Sequence, residues 1–164
     1  MQSKLVKSPL NYIGGKYKLL KQILPLFPDN IDTMVDLFCG GCNVGVNVNA
    51  NRIIAIDKLD ALINLLKVFK ELNTNDIINK IGDNIRKFNL SNTLEYGYEH
   101  YNTNSADGLA RVNKSNFLKL RNYINHMTNK ECVEYYISLY TLIIFAFNNQ
   151  IRFNSKGEFN IPVG

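Results

Sequence analysis

The stretch DLFCGG at 36–41 sets a short apolar run directly against Gly40 and Gly41, and a second apolar run at 52–56 ends on Asp57, seventeen positions after Gly40. A strand that runs into small residues leaves room for a ligand against bare backbone, and a helix begun there offers unpaired N–H groups to polar or anionic atoms. An acidic side chain closing the next strand can accept hydrogen bonds from paired hydroxyls such as those of a ribose. The chemistry implied is the holding of an adenosine-type cofactor. No G-x-G-x-x-G occurs, which counts against a nicotinamide or flavin enzyme and leaves S-adenosylmethionine as the better candidate. An ordinary tight turn with no ligand is the plain alternative.

Two other motifs carry less. GGKYK at 14–18 has neither the spacing nor the hydroxyl residue of a phosphate loop, so ATP is not implied. Cys39 and Cys42 form a C-x-x-C, but Cys132, His100 and His126 are the only other soft ligands, too few and too scattered for a four-ligand zinc site. They are read as buried free cysteines, and no metal is expected. The tail is more informative. Around Asn154-Ser155-Lys156-Gly157, two short segments fit a β-hairpin, with Gly157 at the left-handed turn position. An arginine on such a hairpin can set two parallel N–H donors against guanine O6 and N7, which makes Arg152 the candidate base reader. Lys156, at the turn, suits a phosphate. A surface hairpin with an exposed arginine is the alternative.

Composition sets the frame for these candidates. The 164 residues are 46% hydrophobic, enough for one respectable core and too few for two ordinary domains. Lys and Arg outnumber Asp and Glu by 19 to 14, for a net charge of +5 and a pI near 9.1, which favours a polyanionic partner. An odd number of cysteines and the lack of a secretory start point to a reducing, cytoplasmic setting. The longest apolar stretch, at 135–147, is shorter than the ~20 residues needed to span a bilayer and is read as a buried helix.

The elements that must position the candidates follow from periodicity. Leu19, Leu20, Ile23 and Leu24 share one helical face, stopped by Pro25 and Pro28. The runs at 33–38 and 52–56 are expected to be buried parallel strands, with one short helix between them. Asp60 is expected to cap a helix over 61–72 with Leu62, Leu65, Leu66 and Phe69 inward. Further helices are expected over 77–89, 115–126 and 131–147, the last at the centre of a core. The polar stretch at 91–113 is expected to be a long loop or irregular subdomain.

Taken together, NYIGGKYKLL at 11–20, DLFCGGCNVG at 36–45, IIAIDKLDALINL at 53–65 and IRFNSKGEFNIPVG at 151–164 resemble the Dam-type adenine-N6 DNA methyltransferases, in that family's order, with a looser match around FLKLRNYIN at 117–125. The resemblance implies an α/β chain: part of a Rossmann-like S-adenosylmethionine-dependent methyltransferase fold over 1–75, and a mostly helical DNA-recognition subdomain over 76–164 ending in the β-hairpin. It implies that Tyr12, Gly14, Gly15 and Lys16 approach the cofactor from the N-terminal segment, that Asp36, Phe38 and Gly40 begin the glycine-rich motif, and that Asp57 holds the ribose. Cys42 departs from the family, which usually has another small residue there. At the other end, Phe147 and Asn148 would wedge beside the target adenine, and Pro162 would shape the base-facing edge beside Arg152 and Lys156 on double-stranded DNA, with GATC the first guess for its site. Because the N6 amine is hidden in a duplex, such an enzyme must extrude the base at a cost of a few kcal/mol.

The family's Asp-Pro-Pro-Tyr motif, which would accept the amine's hydrogens and stack on the extruded adenine, does not occur. Pro9, Pro25, Pro28 and Pro162 are all isolated. No catalytic residue is therefore assigned, and the expectation is a fragment that is inactive alone, with a partial sheet whose exposed edge could support self-association. The alternatives are a non-catalytic DNA-binding protein with a vestigial cofactor fold and, less favoured, a nucleotide-cofactor oxidoreductase. Whether the parent serves restriction-modification, a phage or housekeeping methylation is not legible.

Overall fold

The two apolar runs that flank the glycine loop become a parallel pair, β1 (Ile31–Leu37) and β2 (Ala50–Ile56), in register from Ile31 opposite Ala50 to Leu37 opposite Ile56. This is seen in a computed structural model that describes residues 4–164, so the first three residues of the expected 1–75 segment lie outside the described residues. The expected helix between the strands is only a 3-10 turn, Gly45–Asn47. The crossover is too tightly tethered to wind further: Asp36 Oδ2 accepts from Gly45 N–H at 2.9 Å, and Asn47 is bonded through its amide to Val6 and Asn43.

Burial of the strands departs from expectation. Met34 is buried, whereas Val35 and Leu37 are 51% and 58% exposed. Side chains alternate across a strand, and the sheet has only two strands among the described residues, so Val35 and Leu37 fall on a face that stays open. The preceding apolar segment is a broken helix: a 3-10 turn at Tyr17–Leu19, α1 (Leu20–Ile23) and a second 3-10 turn at Leu24–Leu26. Tighter winding swings Leu19 off the shared stripe, leaving Leu20 fully buried and Leu19 exposed. As expected, the prolines stop the segment: α1 ends at Ile23 ahead of Pro25, whose fixed φ is tolerated in the 3-10 turn that follows, and that turn ends at Leu26 ahead of Pro28.

The chain divides into two compact units, Met1–Asn64 and Leu65–Gly164. The division falls within α2 (Asp60–Glu71). Asp60 does not cap this helix but lies inside its first turn, where a carboxylate suits the helix dipole. Asp57 supports the entry instead, its Oδ1 accepting from Leu59 N–H at 3.1 Å. Leu62 and Leu65 are fully buried as expected, joined by Val68, while Leu66 and Phe69 are half-buried.

In the second unit, α6 (Val133–Ile144) packs between α3 (Thr74–Lys87) and α5 (Ala110–Asn125), and nearly every residue from Tyr135 to Ile143 is buried. Both flanking helices begin earlier than expected. Asn73 caps α3 by accepting from Asn75 N–H at 2.8 Å, and α5 extends back because Asn113 continues the buried stripe of Phe117, Leu120 and Ile124. Asn113 exchanges two 2.8 Å hydrogen bonds with Ser91, satisfying polar groups that burial would otherwise penalise by about 1–3 kcal/mol. Asn84 of α3 likewise donates to Ser138 and Thr141 of α6. The expected loop between α3 and α5 holds a short α4 (Thr93–Tyr96) and a 3-10 turn, Glu99–Tyr101.

After α6 the chain runs out and back as a finger. Two isolated antiparallel bridges, Ala146 with Val163 and Phe153 with Phe159, stand where a regular hairpin ladder was expected. Consecutive left-handed residues, Asn148 (φ 54°) and Asn149 (φ 51°), break the outgoing strand before a ladder can form. Asn149 also donates to Ile144 O at 2.7 Å, closing the end of α6. Among the described residues, no helix is long and apolar enough to cross a membrane.

Candidate functional site

Seven of the eight sequence-indicated cofactor residues, Tyr12, Gly14, Gly15, Lys16, Asp36, Phe38 and Gly40, line one cleft of about 360 Å³ in the first unit. Backbone geometry creates it. Tyr12 O accepts from Gly15 N–H at 3.0 Å, closing a turn with Gly14 at φ 77°. The Tyr12 ring then lies over Gly40, so closely that a Cβ there would stand 2.8 Å from ring carbon Cδ1. Gly40 is also at φ 52°, a conformation that side chains rarely adopt, so two separate constraints require glycine at this point.

Asp57 is not in the cleft wall but reaches its floor: Oδ2 accepts from Gly40 N–H at 2.9 Å while Oδ1 takes Leu59 N–H. A carboxylate has about four acceptor positions, so this anchoring leaves capacity for a ribose hydroxyl. Asp36 turns its carboxylate to Gly45 N–H. Lys16 folds back on Gly14 O at 2.6 Å. Phe38 is the outlier, 79% exposed and at φ 60°, a left-handed position costly for a residue with a side chain.

Cys42, where the resemblance fails, sits at φ 58°, a conformation that glycine takes without penalty. The departure therefore strains the loop locally. Burial pushes the Cys39 thiol up to about 12, with Cys42, Asp36 and Asp57 adding to the effect, and burial followed by Asp36 also raises Cys42. Burial, then Asp57 and Cys39, raises the Tyr12 phenol. All three stay protonated at neutral pH, so neither cysteine of the C-x-x-C is a ready nucleophile.

In the second unit, the finger carries the sequence-indicated DNA residues in a defined order. At its base, Phe147 N–H donates to Pro162 O at 2.9 Å, and the Phe147 ring is half-exposed. Asn148 lies in the 3-10 turn Phe147–Asn149. Further out, Arg152 faces Asn160, with Nε donating to Oδ1 at 2.8 Å and Nη2 to the backbone oxygen at 3.3 Å. Lys156 is exposed at the tip, which Asn154 organises by accepting from Lys156 N–H and Glu158 N–H.

Asn43, Asn125 and Asn160 were not singled out by sequence reasoning. Asn43 lines the cleft and accepts from Ser8 N–H, tethering the N-terminal segment. Asn125 pairs with both backbone groups of Phe159, fixing the finger to α5. Asn43 and Asn125 bond to residues more than thirty positions away, so no local pattern could have revealed them.

The D12 class N6 adenine-specific DNA methyltransferase family model matches residues 12–164, a span that contains both cleft and finger, and the chain belongs to that family. It is 44% identical over 159 residues to the type II methyltransferase M.FokI of Planomicrobium okeanokoites, covering 97% of this chain and 21% of that protein. It is 40% identical to the modification methylase StsI of Streptococcus sanguinis, covering 98% of this chain and 21% of the relative. It is also 30% identical to a DNA adenine methylase of Haemophilus influenzae, covering all of this chain and 49% of that protein. The chain thus spans about a fifth of the length of the first two and about half of the third.

Proposed function

We propose that this chain supplies the methyl-donor cleft and the target-reading finger of an adenine-N6 DNA methyltransferase that transfers a methyl group from S-adenosylmethionine to adenine in double-stranded DNA. Residues 1–75 hold the cofactor as part of a Rossmann-like sheet, and residues 76–164 recognise the target. The observation that carries this reading is the cleft itself, where an aromatic ring, bare glycine backbone and an anchored acidic side chain converge.

Tyr12 and Phe38 offer faces to the adenine or the sulfonium of the donor, Gly14 and Gly15 let it approach the backbone, Gly40 makes room for the Tyr12 ring at the cleft wall, and Asp57 accepts from the ribose. Lys16, released from Gly14 O, and Asp36 complete the polar lining. S-adenosylmethionine supplies an electrophilic methyl group when bound. In this chain Arg152 reads guanine, Lys156 meets phosphate, Phe147 and Asn148 support the duplex opened at the target, and Pro162 holds the base-facing edge. Opening costs a few kcal/mol, which contacts of this kind offset.

The 164 residues include no Asp-Pro-Pro-Tyr to receive the amine's hydrogens, so the role proposed is holding and reading, with methyl transfer absent from the isolated polypeptide. A modification methylase acting at GATC or a related site, in the cytoplasm, is the setting this implies. The outer edges of β1 and β2 support self-association. Calorimetric titration tests the cofactor assignment: S-adenosylmethionine should bind and NAD should not, and saturable binding of NAD alone would reverse the reading.

A further inference from the structure

Arginine reads guanine well only when its planar fork is held still, because two parallel N–H donors must meet O6 and N7 together. An unrestrained arginine at the surface samples many rotamers, and ordering it costs up to ~2 kcal/mol. The surroundings of Arg152 address this cost directly. Its Nε–H is engaged by Asn160 Oδ1 at 2.8 Å and one Nη2–H by Asn160 O at 3.3 Å, while Asn160 N–H donates to Arg152 O at 3.2 Å. Of the five guanidinium donors, these contacts use the Nε side of the fork and leave the far edge, formed by Nη1 and the second Nη2 hydrogen, pointing away from Asn160.

The support is itself supported. Phe159, next to Asn160, is fully buried, has its N–H and C=O paired with Asn125, and meets the Phe153 ring edge-on at 6.0 Å. The platform beneath Asn160 is therefore anchored to α5.

We propose that Asn160 is a positioning residue for specificity: it locks the guanidinium of Arg152 so that only its outer Nη1/Nη2 edge can read a guanine. This rests on the assignment of Arg152 as base reader. The residue does not touch the base; it fixes which edge of the arginine does. A side chain that served only to stabilise the finger would alter affinity for all duplexes alike, whereas a positioning residue alters discrimination at one guanine.

The experiment uses the full 164-residue chain and a duplex selected by it from a randomised library. Fluorescence anisotropy compares that duplex with copies in which each guanine in turn is 7-deazaguanine, which lacks the N7 acceptor. Wild type should lose about tenfold in affinity at one guanine. Arg152→Ala should lose that dependence entirely. Asn160→Ala should reduce it to about two- or threefold, while Asn160→Asp, which keeps the Oδ1 acceptor, should retain it near the wild-type ratio and weaken all duplexes together. Both duplexes are titrated with one preparation, so a loss of folded protein cancels from the ratio. If Asn160→Ala keeps the wild-type ratio, or Asn160→Asp folds and loses it, the positioning role is overturned and Arg152 still stands as reader. If wild type shows no guanine dependence, or Arg152→Ala keeps it, the reader assignment fails and this inference with it.

Discussion

The cleft and the finger are built by opposite means. In the cleft, side chains serve the backbone: Asp57 and Asp36 hold the N–H groups of Gly40 and Gly45, Lys16 holds Gly14 O, and Tyr12 covers Gly40 so closely that no Cβ fits. In the finger, the ladder is reduced to two bridges, and side-chain amides of Asn125, Asn154 and Asn160 supply the missing bonds. A backbone-built pocket has one shape and fails abruptly when that shape is blocked. A finger held by separate amides can be retuned one contact at a time, which suits a site whose sequence preference must be adjustable.

The largest expected contrast is in thiol chemistry, since it probes how closed the glycine loop is. At pH 8, Cys39 should react with iodoacetamide at least about a hundredfold more slowly than half-buried Cys132, because its thiolate is scarce until about pH 12. The same shift sets a sign for stability. Above the ordinary thiol range the unfolded chain releases a proton that the folded chain retains, so the fold should lose stability as pH rises from about 9 toward 12, with less loss in Cys39→Ala. Equal alkylation rates in peptide mapping would mean that the loop opens freely.

Next comes Gly40→Val, which places atoms against the Tyr12 ring at a left-handed φ. Calorimetry should record a loss of S-adenosylmethionine affinity of about a hundredfold or more, the scale of ~3 kcal/mol of steric and backbone strain. Graded effects are expected on the finger. Arg152→Ala should relax base preference by about five- to a hundredfold, whereas Lys156→Ala should weaken every duplex alike and reduce the salt slope by about one. Identical profiles for the two would erase the division between reader and phosphate contact. The smallest effect belongs to Gly157→Ala. At φ 72° but with open space around it, it should lower stability by only about 1 kcal/mol in thermal melts and leave cofactor affinity unchanged.

Sequence reasoning located what depends on local pattern. The parallel strands, the glycine loop, Asp57, the buried last helix and the turn at Gly157 are all encoded by residues adjacent or periodically spaced. It misjudged burial of Val35 and Leu37, because apolar composition alone cannot say how many layers cover a strand. It gives the entry to α2 to Asp60, because a carboxylate just ahead of an apolar periodic run fits a cap as well as it fits the first turn. It passed over Asn43, Asn125 and Asn160 because an asparagine looks the same in a loop, at a cap or bridging two backbone groups. Two of these three are defined only by partners distant in the chain.

The central claim is that the donor occupies the cleft lined by Tyr12, Phe38 and the glycine loop. Ultraviolet crosslinking of methyl-tritiated S-adenosylmethionine to the chain, followed by proteolysis and peptide mapping, tests it most directly. The label should appear in peptides containing Tyr12 or Phe38 and vanish with excess unlabelled donor but not with NAD. Label confined to residues beyond Leu65, or displaced equally by NAD, would contradict it.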